Sequence, residues 1–312
     1  MFSKEMREIT NILTEDTIEQ VFRKHQYITD RSIVTALRLV QGLNKPLLIE
    51  GPAGVGKTQV AKVLAEVLET PLIRLQCYEG LDVHNALYEW NYQKQLLHIQ
   101  LTEKTDASVS EREQEIFGPD FLLRRPLLEA LSAEEAPPVL LIDEIDRADE
   151  EFEAFLLELL AEFQITIPEI GTILPKYKPY VILTSNRSRE LSDALRRRCL
   201  YQWFPYPDIK KETAIIQAHL PEINETAAEK IAAVIMKIRS MPLNKVPGVA
   251  ETLDWAEALM LMHKNEITAK AMKETLGCLA KDRNDWNIIE NHLEDGGLLS
   301  EKYLKSAGAK EA

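Results

Sequence analysis

Gly51-Pro52-Ala53-Gly54-Val55-Gly56-Lys57-Thr58 reads G-x-x-x-x-G-K-T, the pattern of a loop that cradles phosphates. Pro46-Leu47-Leu48-Ile49-Glu50, just before it, is a short apolar run suited to a buried strand. Residues 59–69, just after it, carry Val60, Val63, Leu64, Val67 and Leu68 at helical spacing. Strand, glycine loop and helix in that order make an anion site. The backbone N–H groups of Gly51, Ala53, Gly54, Val55, Gly56 and Gln59 face the phosphates at the start of the helix. Lys57 is expected to reach the β- and γ-phosphates of ATP, and Thr58 to hold Mg²⁺. A chance glycine turn is the alternative, but eight positions and both flanks agree against it.

Composition narrows the rest. The 312 residues suit one large domain or two moderate ones, with 45% apolar residues to build a core. A net charge of −13 speaks against a general nucleic-acid surface, because duplex binding rests on neutralising phosphates. Cys77, Cys199 and Cys278 are isolated, and the six histidines form no H-x-x-x-H pair, so neither a zinc site nor a disulfide framework is indicated. No apolar stretch approaches the roughly 20 residues of a membrane span, and Met1-Phe2-Ser3-Lys4-Glu5 lacks a signal-peptide core. A cytoplasmic location is the expectation.

Along the chain, residues 1–25 are charged and expected to be helical. Tyr27 and Ile28 precede a helix through Val34, Leu37, Leu39 and Leu43; they either pack on an adenine or belong to the core. A second strand is predicted at 71–76, and a helix at 83–101 with Leu87, Trp90 and Leu97 on one face. A polar loop at 102–114 leads to Phe117-Gly118-Pro119 and a helix through Leu127, Leu128 and Leu131. Nucleotide chemistry does not require this insertion, so it is either a partner contact or an ordinary helix and loop.

Val139-Leu140-Leu141-Ile142-Asp143-Glu144 runs four apolar residues into two acids. A buried parallel strand places such acids at the carboxyl edge of a sheet, where ligands bind in open α/β folds. There Asp143 would anchor the Mg²⁺ shell and Glu144 would polarise the attacking water. An amphipathic helix follows at 150–163, then an alternating hairpin at 164–173, which Pro168 confines to an edge. Tyr180 to Asn186 is a further buried strand, whose terminal Asn186 would orient the water. The run Arg196-Arg197-Arg198 is a basic cluster in an acidic chain, and from about 209 onward only helical patterns remain.

This order of signals resembles an AAA+ ATPase over about residues 20–295. Gly51 to Thr58 matches Walker A, Val139 to Glu144 Walker B, and Asn186 sensor 1. The resemblance implies a five-stranded parallel sheet of order 5-1-4-3-2 between helices, with a small all-helical lid. It divides the chain into an N-terminal helical segment 1–25, a core 26–208, a lid 209–300 and a disordered tail 301–312. It implies a trans-acting arginine at Arg198, with Arg197 as runner-up, since Arg198-Cys199 stands where clamp loaders carry Ser-Arg-Cys.

Within AAA+ proteins the chain looks most like the MoxR family. Asp143-Glu144-Ile145-Asp146-Arg147-Ala148 is similar to the family's D-E-I-N-R-A, with Asp146 in place of Asn. The insertions at 115–133 and 164–173 match those beside helix 2 and before sensor 1. Tyr78-Glu79-Gly80-Leu81-Asp82, Arg125-Pro126-Leu127-Leu128 and Pro247 to Trp255 resemble the CoxD branch. That resemblance implies a homo-oligomeric ring, a hexamer, with a von Willebrand factor A-domain partner and a metalloenzyme client such as a molybdenum hydroxylase. One departure stands out. Thr252 falls where a sensor 2 arginine is usual, and no arginine lies between Arg239 and Arg283. Either Lys245 substitutes or the lid senses nucleotide differently. A competing reading is a DNA-processing AAA+ ATPase of clamp-loader or branch-migration type. A GTPase is a third, because Asn44-Lys45-Pro46-Leu47 superficially resembles N-K-x-D, but it lacks the Asp that reads guanine.

Overall fold

The structure, a computed structural model, describes residues 15–102, 115–263, 267–295 and 298–299. The expected tail 301–312, most of the N-terminal segment and nearly all of the loop 102–114 lie outside the described residues. The chain forms two compact units. One takes in Arg31–Glu50 and Thr58–Trp203; the other takes in Asp16–Asp30, Gly51–Lys57 and the chain from Phe204 onward.

The first unit is built on a five-stranded parallel sheet. Its strands are β1 (Leu47–Glu50), β2 (Leu72–Gln76), β5 (Val139–Asp143), β8 (Tyr180–Ser185) and β9 (Leu200–Trp203). They lie in the order β2-β5-β8-β1-β9. Four further strands, β3 (Tyr88–Trp90), β4 (Leu122–Arg124), β6 (Ile165–Ile167) and β7 (Gly171–Ile173), interrupt the numbering. With those four left out, the sheet strands counted along the chain read 5-1-4-3-2 from the β9 edge. β1 and β5 are buried along their whole length, as the continuous apolar runs of a sheet covered on both faces require. Parallel pairing of β5 with β8 and of β1 with β8 brings the ends of three strands to one edge.

Several elements differ from the sequence pattern. The helix expected at 59–69 runs Lys57–Val67, because Lys57 and Thr58 already form its first turn; it stops before Glu69, which sits at φ 51°. In helix Arg31–Leu43 the buried face is Ile33, Val34, Ala36, Leu37 and Val40, while Leu39 and Leu43 are exposed. The single helix expected at 83–101 is three elements. A short turn Val83–Ala86, capped by the Asp82 carboxylate, precedes β3, and helix Tyr92–Thr102 follows. The cause is tertiary: β3 pairs antiparallel with β4, Trp90 opposite Leu122, and aromatic residues favour such a pleated surface over helix. Trp90 and Leu87 are buried there, but Leu97 is exposed. The hairpin at 164–173 forms as β6 and β7, with the hydroxyls of Thr166 and Thr172 3.0 Å apart across the pair.

The second unit is helical where it is described. Helices Ile209–His219, Glu225–Arg239, Val249–His263, Ala269–Thr275 and Arg283–Glu294 bury Ile231, Ile235, Trp255, Leu259, Met272 and Ile289 together. Asp208, Asn224, Thr268 and Asp282 each cap a helix start with a side-chain oxygen. The indole N–H of the fully buried Trp255 donates to the Thr275 hydroxyl at 2.8 Å, which satisfies the one polar atom of that ring.

Candidate nucleotide site

Gly51–Lys57 belongs to the second unit. Gly54 and Gly56 lie at φ +76° and +88°, a region glycine enters without the Cβ penalty. At Gly51 a Cβ would fall 2.2 Å from the Phe204 carbonyl oxygen. The Lys57 ammonium is buried and donates to the carbonyls of Gly51 (2.7 Å) and Pro52 (2.6 Å), so a cation is folded into its own loop. A buried ammonium among backbone N–H groups is the donor set that a polyphosphate requires.

The start of helix Val249–His263 rests on this loop. The Val249 N–H donates to the Gly54 carbonyl at 2.7 Å, and a Cβ on Gly248 would meet Gly54 Cα at 2.7 Å. Thr252, at the position where a sensor 2 arginine is usual, is fully buried. Its hydroxyl donates to the Gly248 carbonyl (3.0 Å) and accepts from Arg239 (3.2 Å). Arg239 also holds the Pro247 carbonyl and both Glu212 oxygens. Lys245 is exposed; its N–H donates to Asp285 and its charge acts on Asp282. Tyr27 and Ile28, in the same unit, are half-buried. The Tyr27 ring is tilted against Phe22 at 5.2 Å, and burial first, then Asp30, pushes its hydroxyl above the ordinary tyrosine range.

The first unit gathers the acids. Asp143, 2% exposed, accepts from the Thr58 hydroxyl (3.1 Å) and the Thr184 hydroxyl (2.5 Å) on Oδ1. On Oδ2 it accepts the Arg74 guanidinium through Nη2 (2.6 Å) and Nε (3.1 Å). Thr58 donates its hydroxyl hydrogen to Asp143, which leaves its lone pairs for a cation, and this fits the chemistry of a Mg²⁺ ligand. Glu144 then leaves the strand in the left-handed conformation, φ 55°, ψ 49°, its N–H held by Thr184 Oγ1 at 2.9 Å. Such a conformation costs a non-glycine residue about 1–2 kcal/mol, and it swings the carboxylate off the strand axis. That carboxylate accepts from Asn186 Nδ2 (3.2 Å), Gln76 Nε2 (3.2 Å) and Arg147 Nε (2.8 Å). Glu144 and Asn186 are thereby brought together, as are Thr58 and Asp143.

Asp146 ties the two strand ends. It accepts from the Asn186 N–H (3.1 Å) and from both the N–H (2.8 Å) and hydroxyl (2.7 Å) of Ser188. Burial works against its charge, but these donors win and hold the carboxyl below the usual aspartate range. Burial, followed by Asp143, Asp146 and Glu144, pushes the neighbouring Cys77 thiol up to about 12. The three carboxylates add to what burial does to this thiol, and their negative charge favours a cation.

The arginine cluster divides. Helix Asp193–Arg198, capped by Ser192, aims Arg196 at the buried Glu50, 3.8 Å away. Arg198 is exposed and donates to the Leu157 carbonyl of its own chain. Arg197 is exposed, with no hydrogen bond or ion pair shown among the described residues. Sequence reasoning missed Arg74, Gln76, Thr184 and Glu50. The first two were legible in principle: two residues apart near the end of β2, they must share one face. Nothing in the sequence alone pairs Glu50 with Arg196. Among the described residues, no cluster of three or more His, Cys, Asp or Glu is arranged to hold a metal, and no helix is long and apolar enough to cross a membrane.

The chain is similar to several known proteins. Uncharacterized proteins of Staphylococcus aureus, strains bovine RF122 / ET3-1 and NCTC 8325 / PS 47, are each 25% identical over 288 residues. The match covers 87% of this chain and 98% of theirs. Among solved structures, the Thermotoga maritima RuvB Holliday junction branch migration motor matches at 19% identity and a TM-score of 0.45, over 89% of this chain and 73% of its own. A mutant of that motor matches at 18% identity and a TM-score of 0.48, over 88% and 72%. Residues 46–199 match the family described as AAA domain, dynein-related subfamily. That match and the parallel sheet with acids at its edge support an AAA domain of the AAA+ ATPase kind over this stretch.

Proposed function

We propose that the chain is an ATP-hydrolysing AAA+ chaperone of the MoxR type that remodels or activates a client. The observation that carries the catalytic part is the linked set Thr58, Asp143, Glu144 and Asn186, next in sequence to Lys57. Bound ATP would supply the phosphoryl group, and Mg²⁺ the charge that neutralises it. Lys57 and the N–H groups of the Gly51–Gln59 loop would hold the phosphates, and Thr58 and Asp143, joined by their hydrogen bond, would hold the metal. Glu144 holds and polarises the attacking water, and Asn186 fixes the Glu144 carboxylate. Tyr27 and Ile28 flank the base.

Lys57→Ala should lose most nucleotide affinity. Glu144→Gln should bind ATP nearly as the wild type does but lose turnover by at least about 100-fold, the scale of losing a positioned catalytic base. Titration calorimetry beside an ATPase assay separates the two, and equal loss of binding in both variants would overturn the role assignment.

The rest of the proposal concerns assembly. The second unit's helices serve as the lid, and the protomers form a six-membered cytoplasmic ring with a von Willebrand factor A-domain partner and a metalloenzyme client. Helix Tyr92–Thr102 supports a surface for such contacts, since Tyr92, Leu96, Leu97, Ile99 and Leu101 are all exposed on it. Arg197 or Arg198 would stabilise the transition state on the neighbouring protomer, a role worth 10³–10⁵ in rate in general. Mixing either Ala variant with Lys57→Ala subunits should restore activity that neither component has alone. Mixed rings as inactive as their components would remove the trans role.

A further inference from the structure

Arg74 has no place in the roles assigned so far, yet it makes the closest charged contact in the site. Its guanidinium takes Oδ2 of Asp143 with Nη2 at 2.6 Å and Nε at 3.1 Å, while Thr58 and Thr184 take Oδ1. All the accepting capacity of this buried carboxylate is thus in use, and its charge is already matched by a cation of the chain itself. The arginine side chain is 49% exposed, whereas that of Asp143 is 4% exposed. It reaches in from β2, at the edge of the sheet, so it can leave without disturbing the core.

We propose that Arg74 is a built-in counter-cation that competes with the divalent metal for Asp143. It makes metal binding conditional on the nucleotide's own phosphates. The physical reason is Coulombic. A guanidinium and a dication a few ångströms apart repel, and an arginine on Oδ2 leaves Asp143 with little net charge to offer. Asp143, Glu144 and Asp146 stand together at the end of β5 and set up a negative field. Without Arg74, that field would act on a cation uncompensated. Gln76, two residues on and also hydrogen-bonded to Arg74, cannot replace it because an amide carries no charge. The inference rests on the proposed nucleotide site.

The test is the Mg²⁺ dependence of binding a fluorescent ADP analogue, read by fluorescence on the full chain. Wild type should show a defined Mg²⁺ midpoint. Arg74→Met and Arg74→Gln, which remove the charge, should lower that midpoint by about tenfold; half-exposure and solvent screening keep the effect from being larger. Arg74→Lys keeps a charge but loses the forked contact, and should lower it about two- to threefold. This last variant also decides the matter if the neutral ones do not fold. Midpoints unchanged or raised in the folded variants would overturn the competition and leave Arg74 as a purely structural partner of Asp143. A wild type that binds no nucleotide at any Mg²⁺ concentration would instead remove the nucleotide site itself.

Discussion

Two of the molecule's pairs of an arginine with a buried carboxylate serve opposite ends. In the helical unit, Arg239 and Glu212 are 6% and 2% exposed and joined through both guanidinium nitrogens, at 2.7 and 2.9 Å. Two further donors are engaged: Nε holds the Pro247 carbonyl and Nη2 the Thr252 hydroxyl, and the plane lies over Tyr206 at 4.7 Å. In the sheet unit, Asp143 is buried to the same degree but Arg74 is half in water. The first pair can be exchanged for nothing, and so it fixes the turn before helix Val249–His263. The second leaves one partner able to depart. The difference lies in the surroundings of the arginine, since the two carboxylates are equally dry.

The largest expected effect tests this contrast directly. Arg239→Ala leaves Glu212 charged, buried and unpaired, and should cost about 3–5 kcal/mol of stability. Arg74→Met should cost about 1 kcal/mol or less, because Asp143 keeps two hydroxyl donors and the arginine was half solvated. Chemical denaturation of both variants measures the gap. Equal costs would erase the distinction between a fixed and a replaceable pair.

A smaller effect sharpens it. If Arg239 fixes the Pro247–Gly248 turn, then the glycine contact below that turn has no room to yield. Gly248→Ala places a Cβ 2.7 Å from Gly54 Cα and 2.9 Å from the Gly54 carbonyl oxygen, both backbone. The strain should cost about 1–3 kcal/mol. Because the loop that moves holds Lys57, nucleotide affinity should fall by about tenfold, the equivalent of roughly 1.4 kcal/mol. A Gly248→Ala chain with unchanged melting and unchanged nucleotide affinity would show that the loop is soft there.

How far the sequence reveals all this depends on the range of the interaction. The loop Gly51–Thr58, the strand ending in Asp143 and the hairpin 164–173 are local patterns, and each forms as read. The order of strands in the sheet is not local, and only the resemblance to a family implies it. The failure at 83–101 is of the opposite kind: a helical spacing of Leu87, Trp90 and Leu97 is present, but pairing of β3 with β4, which lies more than thirty residues away, overrides it. Arg74 on Asp143 and Arg196 toward Glu50 are long-range side-chain pairs, so neither leaves a trace in spacing. Asp146 was visible as a departure from a motif, but what it does was not. Its partners Asn186 and Ser188 come from another strand's end.

Asp146 supplies the smallest and most specific prediction, because it is a buried acid with no arginine at all. Its charge is held by three donors, two N–H groups and one hydroxyl. Asp146→Asn keeps the shape but turns one oxygen into an NH₂, which then faces at least one N–H or hydroxyl donor without an acceptor. The cost should be about 1–2 kcal/mol at neutral pH. The sign with pH follows from the direction of the shift. The carboxyl titrates lower in the folded chain than in the unfolded one, so its contribution is fully present above the unfolded value, about 3.9, and is lost as pH falls through the folded value. Wild type and Asp146→Asn should therefore differ most above pH 5 and converge in strong acid, where the native aspartic acid is itself protonated and resembles the amide. Urea midpoints at a series of pH values between 7 and 3 give the curve. A stability difference that stays constant over this range would mean that the donors at Asn186 and Ser188 do not depend on the charge, and that an unpaired buried acid can be held here by geometry alone.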